Sequence, residues 1–163
     1  VAAAATPAIG VLLRAAVPHD VVRYAHDPRA QSFGEEAVDA LASRCGVVAE
    51  QVLKTLVVSG RSGLAVAVLP VPWKLSLKSA AAALGWPKAD MADTGAAQRS
   101  TGYVVGGISP LGQRKTLPTV VDSSVTGFDR VLFSAGKRGW DVAVSPHDLI
   151  RLTDAIVADL RLV

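Results

Sequence analysis

The run Gln98-Arg99-Ser100-Thr101-Gly102-Tyr103-Val104-Val105-Gly106-Gly107-Ile108-Ser109-Pro110-Leu111-Gly112-Gln113 is the point around which the rest of the chain arranges itself. It holds four glycines and one proline between two regions that read as regular structure. Glycine tolerates positive φ and lets a ligand approach the backbone without a Cβ in the way. Such a loop in mid-chain is either a cradle of backbone N–H groups or a plain irregular connection. Two familiar chemistries are excluded. Gly107 and Gly112 have the spacing of a phosphate-binding P-loop, but Gln113 stands where lysine is required and Lys115-Thr116 come two positions late. Gly107 to Gly112 also misses a nucleophile elbow, which needs glycine two residues after its serine.

Upstream of this run, Thr6-Pro7 has the form of a helix cap followed by proline at the first helical position. Ile9, Leu12, Leu13 and Ala16 then mark an apolar face, with Pro18 as the stop. Val21–Tyr24 reads as a short strand and His26-Asp27-Pro28 as a turn. Ser32 and Glu35 have capping-box spacing before Ala37, Val38, Leu41 and Ala42, with Gly46 at the helix end. Val52–Ser59 and Leu64–Leu69 are rich in β-formers, and Gly60–Gly63 joins them as a hairpin. Strand alternation places Lys54 on one face with Val52, Leu56 and Val58, and Thr55 on the other. A lysine there is either a guard on an exposed strand edge or a charge facing a pocket. Ser76 caps a helix through Leu77, Ala80, Ala81 and Leu84 to Gly85. Lys88–Met91 reads as a short strand, and Asp93 caps a helix through Ala97 to Arg99.

Downstream, Thr119–Val121 and Arg130–Phe133 read as strands, Ala135–Gly139 as a basic turn, and Trp140–Val144 as a strand. Pro146 opens a closing helix with Leu149, Leu152, Ile156 and Leu160 expected on its buried side. Helices and strands interleave irregularly around at least one hairpin. An α/β mixed (α+β) fold follows, with a mixed sheet flanked by helices rather than a doubly wound parallel one. Residues 6–163 read as a single domain, and Val1–Ala5 as a frayed end or an expression remnant, since no basic segment and long apolar core mark a signal peptide.

The totals narrow the chemistry. The 163 residues are 50% hydrophobic but only 5% aromatic, so Ala, Val and Leu should build the core, with 3 Trp and 3 Phe as its large pieces. The net charge of +3 permits contact with phosphates without requiring it. A single cysteine, Cys45, forbids an internal disulfide and fits a reducing compartment; no apolar run is long enough to span a membrane. A soluble, cytoplasmic protein is expected. His19, His26 and His147 show no metal-ligand spacing, and Cys45 sits near a helix end as a packed thiol. No metal or cofactor is expected, and any catalysis must come from positioning and backbone donors.

The glycine run, from Gln98 to Tyr103 and from Gly106 to Gln113, closely resembles the YbaK family, free-standing relatives of the prolyl-tRNA synthetase editing domain. Thr6-Pro7-Ala8, Tyr24–Pro28, Val52–Leu56, Leu64–Val68, Met91-Ala92-Asp93 and Gly136–Asp141 match in the same order across nearly the whole chain. The resemblance implies a strongly curved, largely antiparallel mixed sheet and an aminoacyl-tRNA deacylase acting on Cys-tRNA(Pro). An Ala-tRNA(Pro) deacylase and a non-catalytic binding module of the same fold are the alternatives. It implies the tRNA(Pro) acceptor end and prolyl-tRNA synthetase as partners, with no DNA, and a monomer is expected. Lys54, Tyr24, Asp141 and Gly106 are the expected catalytic positions. Thr55, Gly107, Ile108, Ser109, Pro110, Ser134 and Gly136 should line the substrate site. Arg99, Arg114, Lys115, Lys137 and Arg138 suit the tRNA phosphates, or form an ordinary solvated rim. Two departures, Ala135 where the family often has glycine and Trp140 where it often has leucine, are expected to flank the pocket. By analogy with the family, the nucleophile is the thiol of the bound cysteine.

Overall fold

A computed structural model describes residues 5–30 and 32–163; the expectation for Val1–Ala5 therefore lies, apart from Ala5, outside the described residues. The local signals place most elements. Thr6 Oγ1 accepts from Ile9 N at the start of α1 (Pro7–Arg14), which buries Ala8, Ile9 and Leu12. After β1 (Asp20–Arg23), Ser32 caps α2 (Phe33–Cys45), and Gly46 closes it in the left-handed conformation. The hairpin is β2 (Leu53–Gly60) and β3 (Gly63–Pro70), in register from Leu53↔Pro70 to Gly60↔Gly63. Then come α3 (Leu77–Leu84), β4 (Asp90–Met91) and α4 (Thr94–Thr101), the helices capped by Ser76 and Asp93. Beyond the glycine run follow β5 (Thr119–Asp122), β6 (Val131–Lys137), β7 (Trp140–Val144), α5 (Pro146–Thr153) and β8 (Ile156–Ala158).

Hydrogen bonding sorts the strands into two sheets, β1-β7-β6 and β4-β2-β3-β5-β8. The first is antiparallel; in the second, β3-β5 and β5-β8 run parallel. One bridge, Val52↔Leu132, ties the two sheets at the start of β2. Farther along, β2 meets β4 at Val58↔Met91, and Ala92 N donates to Val57 O. Between these points the edge of β2 facing away from β3, Leu53 to Leu56, lies open where the sheets diverge. That gap positions the site.

The central core joins α1 and both sheets through Leu12, Val66, Val68, Leu111, Phe133 and Leu149. It is built of aliphatic side chains as expected, but Trp73, Trp86 and Trp140 are all only partly buried. Four other expectations fail. Helix α1 ends at Arg14, and Leu13, 53% exposed, faces away from the core; Ala16 lies beyond the helix at φ +54°. The stretch Lys88–Met91 pairs only at Asp90 and Met91. The turn expected at Ala135–Gly139 shrinks to Arg138-Gly139, because β6 continues through a bulge to Lys137. The closing helix stops at Thr153, where Asp154 turns left-handed; Ile156 is exposed in β8, and Leu160, buried as expected but outside the helix, packs with Ala67, Ala80 and Val120 while its N–H donates to Asp122 Oδ1 at 2.8 Å.

Candidate active site

A cavity of about 650 Å³ opens at the unpaired edge of β2. Its walls are the N-terminal turn of α2, the β3–α3 loop from Val71 to Lys74, the start of α4, the glycine run, and the end of the first sheet. Seven of the expected residues border it: Tyr24, Lys54, Thr55, Gly106, Ile108, Ser134 and Asp141. Lys54 and Thr55 point to opposite faces of β2, yet both reach the cavity because it wraps around an open edge. Of the two readings of Lys54, edge guard or pocket charge, the position satisfies both.

Four expected lining residues are elsewhere. Ser109 and Pro110 are buried: Ser109 Oγ accepts from Leu111 N, and its carbonyl accepts from Gln113 Nε2, so this pair braces the loop from within. Gly107 packs against the backbone of Lys137 and Arg138, and Gly136 against the Tyr103 ring. The two departures also miss the cavity. Ala135 is fully buried in the central core, and Trp140 stacks between Arg23 and Lys137 at 4.0 and 4.9 Å. Neither position lines the cavity.

The expected basic residues are exposed and flank the glycine run on two sides. Arg114 and Lys115 are tied to the end of α4, near Arg99, by bonds from their N–H groups to Thr101 O and Ser100 O. Arg138 is not a free cation. Its guanidinium lies 4.5 Å above the Phe33 ring and its Nε donates to Val105 O at 2.8 Å. Phe33 in turn fills the space a Cβ on Gly106 would need. Sequence reasoning missed Phe33: the capping-box pattern located the helix start but carried no sign of what its first side chain touches. It also missed Trp73 and Lys74, which border the cavity from a loop without periodicity.

Part of the run's backbone is engaged internally and part is not. Val105 N is engaged by Gln98 Oε1 and Gly107 N by Val104 O, while Tyr103 Oη holds Leu111 O at 2.6 Å. Among the described residues the N–H groups of Gly106 and Ile108 have no protein acceptor, and both residues border the cavity. Backbone amides so fixed are suited to a developing oxyanion. Among the described residues Thr55 Oγ1 is buried without a partner, a cost of roughly 1–3 kcal/mol.

Burial also sets the charges. Desolvation lowers the pKa of Lys54 and pushes that of Asp141 up to about 7. Tyr24 is raised well above the usual phenol range, by burial first and then by the carboxylates of Asp141 and Glu36. Among the described residues no ion pair within 4.0 Å engages Lys54 or Asp141. A carboxyl whose folded pKa lies above its unfolded value favours the fold fully only below the unfolded value of 3.8, and that contribution is lost progressively as pH rises from there through about 7. The margin of Asp141→Asn over wild type should therefore widen by about 2–3 kcal/mol between pH 5 and pH 8, read from urea denaturation at both pH values.

Three comparisons bear on this arrangement. The aminoacyl-tRNA editing domain family matches residues 34–152. A protein of Enterococcus faecalis (strain ATCC 700802 / V583), provisionally named Cys-tRNA(Pro)/Cys-tRNA(Cys) deacylase EbsC, is 33% identical over 125 residues, 76% of each chain. A crystal structure provisionally described as a trans-editing enzyme for prolyl-tRNA synthetase superimposes with a TM-score of 0.82 at 26% identity, over 99% of this chain and 100% of that one. A scaffold solved in work on computational epitope grafting gives 0.83 at 26% identity, over 96% of each chain.

Proposed function

We propose that this chain, which belongs to the aminoacyl-tRNA editing domain family, removes cysteine from mischarged Cys-tRNA(Pro) in trans. The family and the fold make it an aminoacyl-tRNA deacylase; the choice of amino acid and tRNA is the reading offered here. One observation carries the mechanism. The cavity joins two unengaged amides to a lysine and an acid, and among the described residues no histidine or cysteine borders it. Ser134 and Thr55 border it too, but among the described residues neither hydroxyl is hydrogen-bonded to a lysine, carboxylate or histidine.

The substrate supplies its own nucleophile in this reading. The cysteine sulfur attacks the ester carbonyl carbon, and the negative charge on the carbonyl oxygen is held by the Gly106 and Ile108 amides. The bond to the ribose oxygen then breaks, that oxygen takes the proton the thiol gave up, and cysteine leaves as a four-membered thiolactone that water later opens. Lys54 neutralises charge at the ester or its neighbouring phosphate. Asp141 and Tyr24 orient the amino acid, with Asp141 paired to its ammonium, while Thr55 and Ser134 line the pocket. Arg99, Arg114, Lys115 and Lys137 meet acceptor-end phosphates; Arg138 acts on the loop. The setting is the cytoplasm, with prolyl-tRNA synthetase as the source of mischarged tRNA.

A deacylation panel tests this. With Cys-, Ser-, Ala- and Pro-tRNA(Pro), the cysteine ester should be cleaved at least about 100-fold faster than the others, since each lacks the thiol that makes attack intramolecular. Mass spectrometry of quenched reactions should find the thiolactone. Ala-tRNA(Pro) cleaved as fast as the cysteine ester would remove the substrate-thiol mechanism and favour an alanine-specific deacylase.

A further inference from the structure

We propose that Trp73 is the stacking platform for the adenine at the 3′ end of the tRNA, with Lys74 beside it for the phosphate of the same nucleotide. The inference deepens the deacylase reading and rests on it for the identity of the ligand. Every tRNA carries its amino acid on the ribose of a terminal adenosine. An ester brought to Gly106 therefore brings a purine into the same cavity, whose volume of about 650 Å³ is in the range of small-molecule sites. Single-stranded RNA ends are recognised by stacking on aromatic rings and guanidinium planes.

Three aromatic residues border the cavity: Tyr24, Phe33 and Trp73. Tyr24 lies by Asp141, where the amino acid is placed. The Phe33 ring is taken up by Gly106 and Arg138. Trp73 remains, half-buried in the β3–α3 loop across from the glycine run. Arg161 covers one side of its ring, with the guanidinium 4.6 Å from the centroid, and among the described residues no other ring or cation lies over it. Backbone bonds hold this pair in place. Leu162 N donates to Lys74 O at 2.8 Å, Ser76 N donates to Leu160 O at 2.7 Å, and Leu75 bridges Arg161. The segment 160–162 thus runs along the loop, and none of its residues borders the cavity that Trp73 borders. Lys74 is exposed and borders the same cavity.

Two measurements test the platform. In a Trp86→Phe/Trp140→Phe variant only Trp73 emits, and its fluorescence should be quenched saturably by 5′-AMP and by the trinucleotide CCA. Trp73→Ala should raise KM for aminoacyl-tRNA roughly 10-fold with kcat near wild type, because base stacking is a binding contribution of that order. Trp73→Phe should keep most of the affinity. Emission untouched by both ligands, or a Trp73→Ala variant with wild-type KM or a fall confined to kcat, overturns the proposal. A wild-type protein inert on every aminoacyl-tRNA whose Trp73 is still quenched by AMP and CCA would sink the deacylase reading and leave the platform standing.

Discussion

Gly106→Ala is expected to lower kcat/KM for deacylation by about 10²- to 10³-fold, the loss that follows removal of one oxyanion donor. Two obstacles act together at this residue. Its φ is +88°, a conformation that an L side chain rarely adopts, and an added Cβ would lie 2.6–2.9 Å from three atoms of the Phe33 ring. Phe33 cannot simply yield. It stands in the first turn of α2, under the Arg138 guanidinium that also holds Val105 O. The loop must move instead, and the Gly106 and Ile108 N–H groups move with it. Single-turnover deacylation reads the loss, and circular dichroism checks that the fold survives. The double variant Gly106→Ala/Phe33→Ala separates the causes: a partial recovery, on the order of 10-fold, assigns that part to the clash. A fully active Gly106→Ala protein would remove the loop amides from the mechanism.

The contrast between Gly106 and Phe33 shows what could be seen in the sequence. Thr6, Ser32, Ser76 and Asp93 were legible as caps because a cap is written within four residues. The hairpin was legible for the same reason. The end of α5 was not, since the apolar period of Leu149, Leu152 and Ile156 runs on past Asp154, and an aspartate seldom announces a left-handed stop. At the site, Lys54 stood out by strand alternation and, with Tyr24 and Asp141, by resemblance to a family; all three border one cavity. Ser109, Pro110 and Gly136 share those motifs yet serve packing, which a motif cannot distinguish from lining a pocket. Phe33 and Trp73 act through partners more than 80 residues away, Arg138 near one and Arg161 on the other. No local pattern encodes such meetings. The same holds for the cavity itself, which exists because β2 leaves β6 after Val52 and reaches β4 only near Val57.

Lys54→Met should abolish nearly all deacylation, by about 10²-fold or more, while leaving the protein as stable as wild type or slightly more so. The activity loss follows from placing a cation where charge develops in a partly dry cavity. The stability result follows from its surroundings. Burial lowers the Lys54 pKa, so the fold disfavours its charged form, and no carboxylate lies within ion-pair distance among the described residues. A residue held for structure would have a partner to lose. Removing an unpaired, half-buried charge instead relieves desolvation, and methionine keeps most of the side-chain volume. Stability should stay within about 1 kcal/mol of wild type, in the direction seen when function is traded for stability. Lys54→Arg keeps the charge but spreads it over a planar group on a different reach, and it should restore little activity. Thermal unfolding together with single-turnover rates for both variants decides the matter. A large fall in melting temperature would make Lys54 a structural edge residue, as strand alternation alone allowed. Unchanged rates would show that the ester is polarised without it.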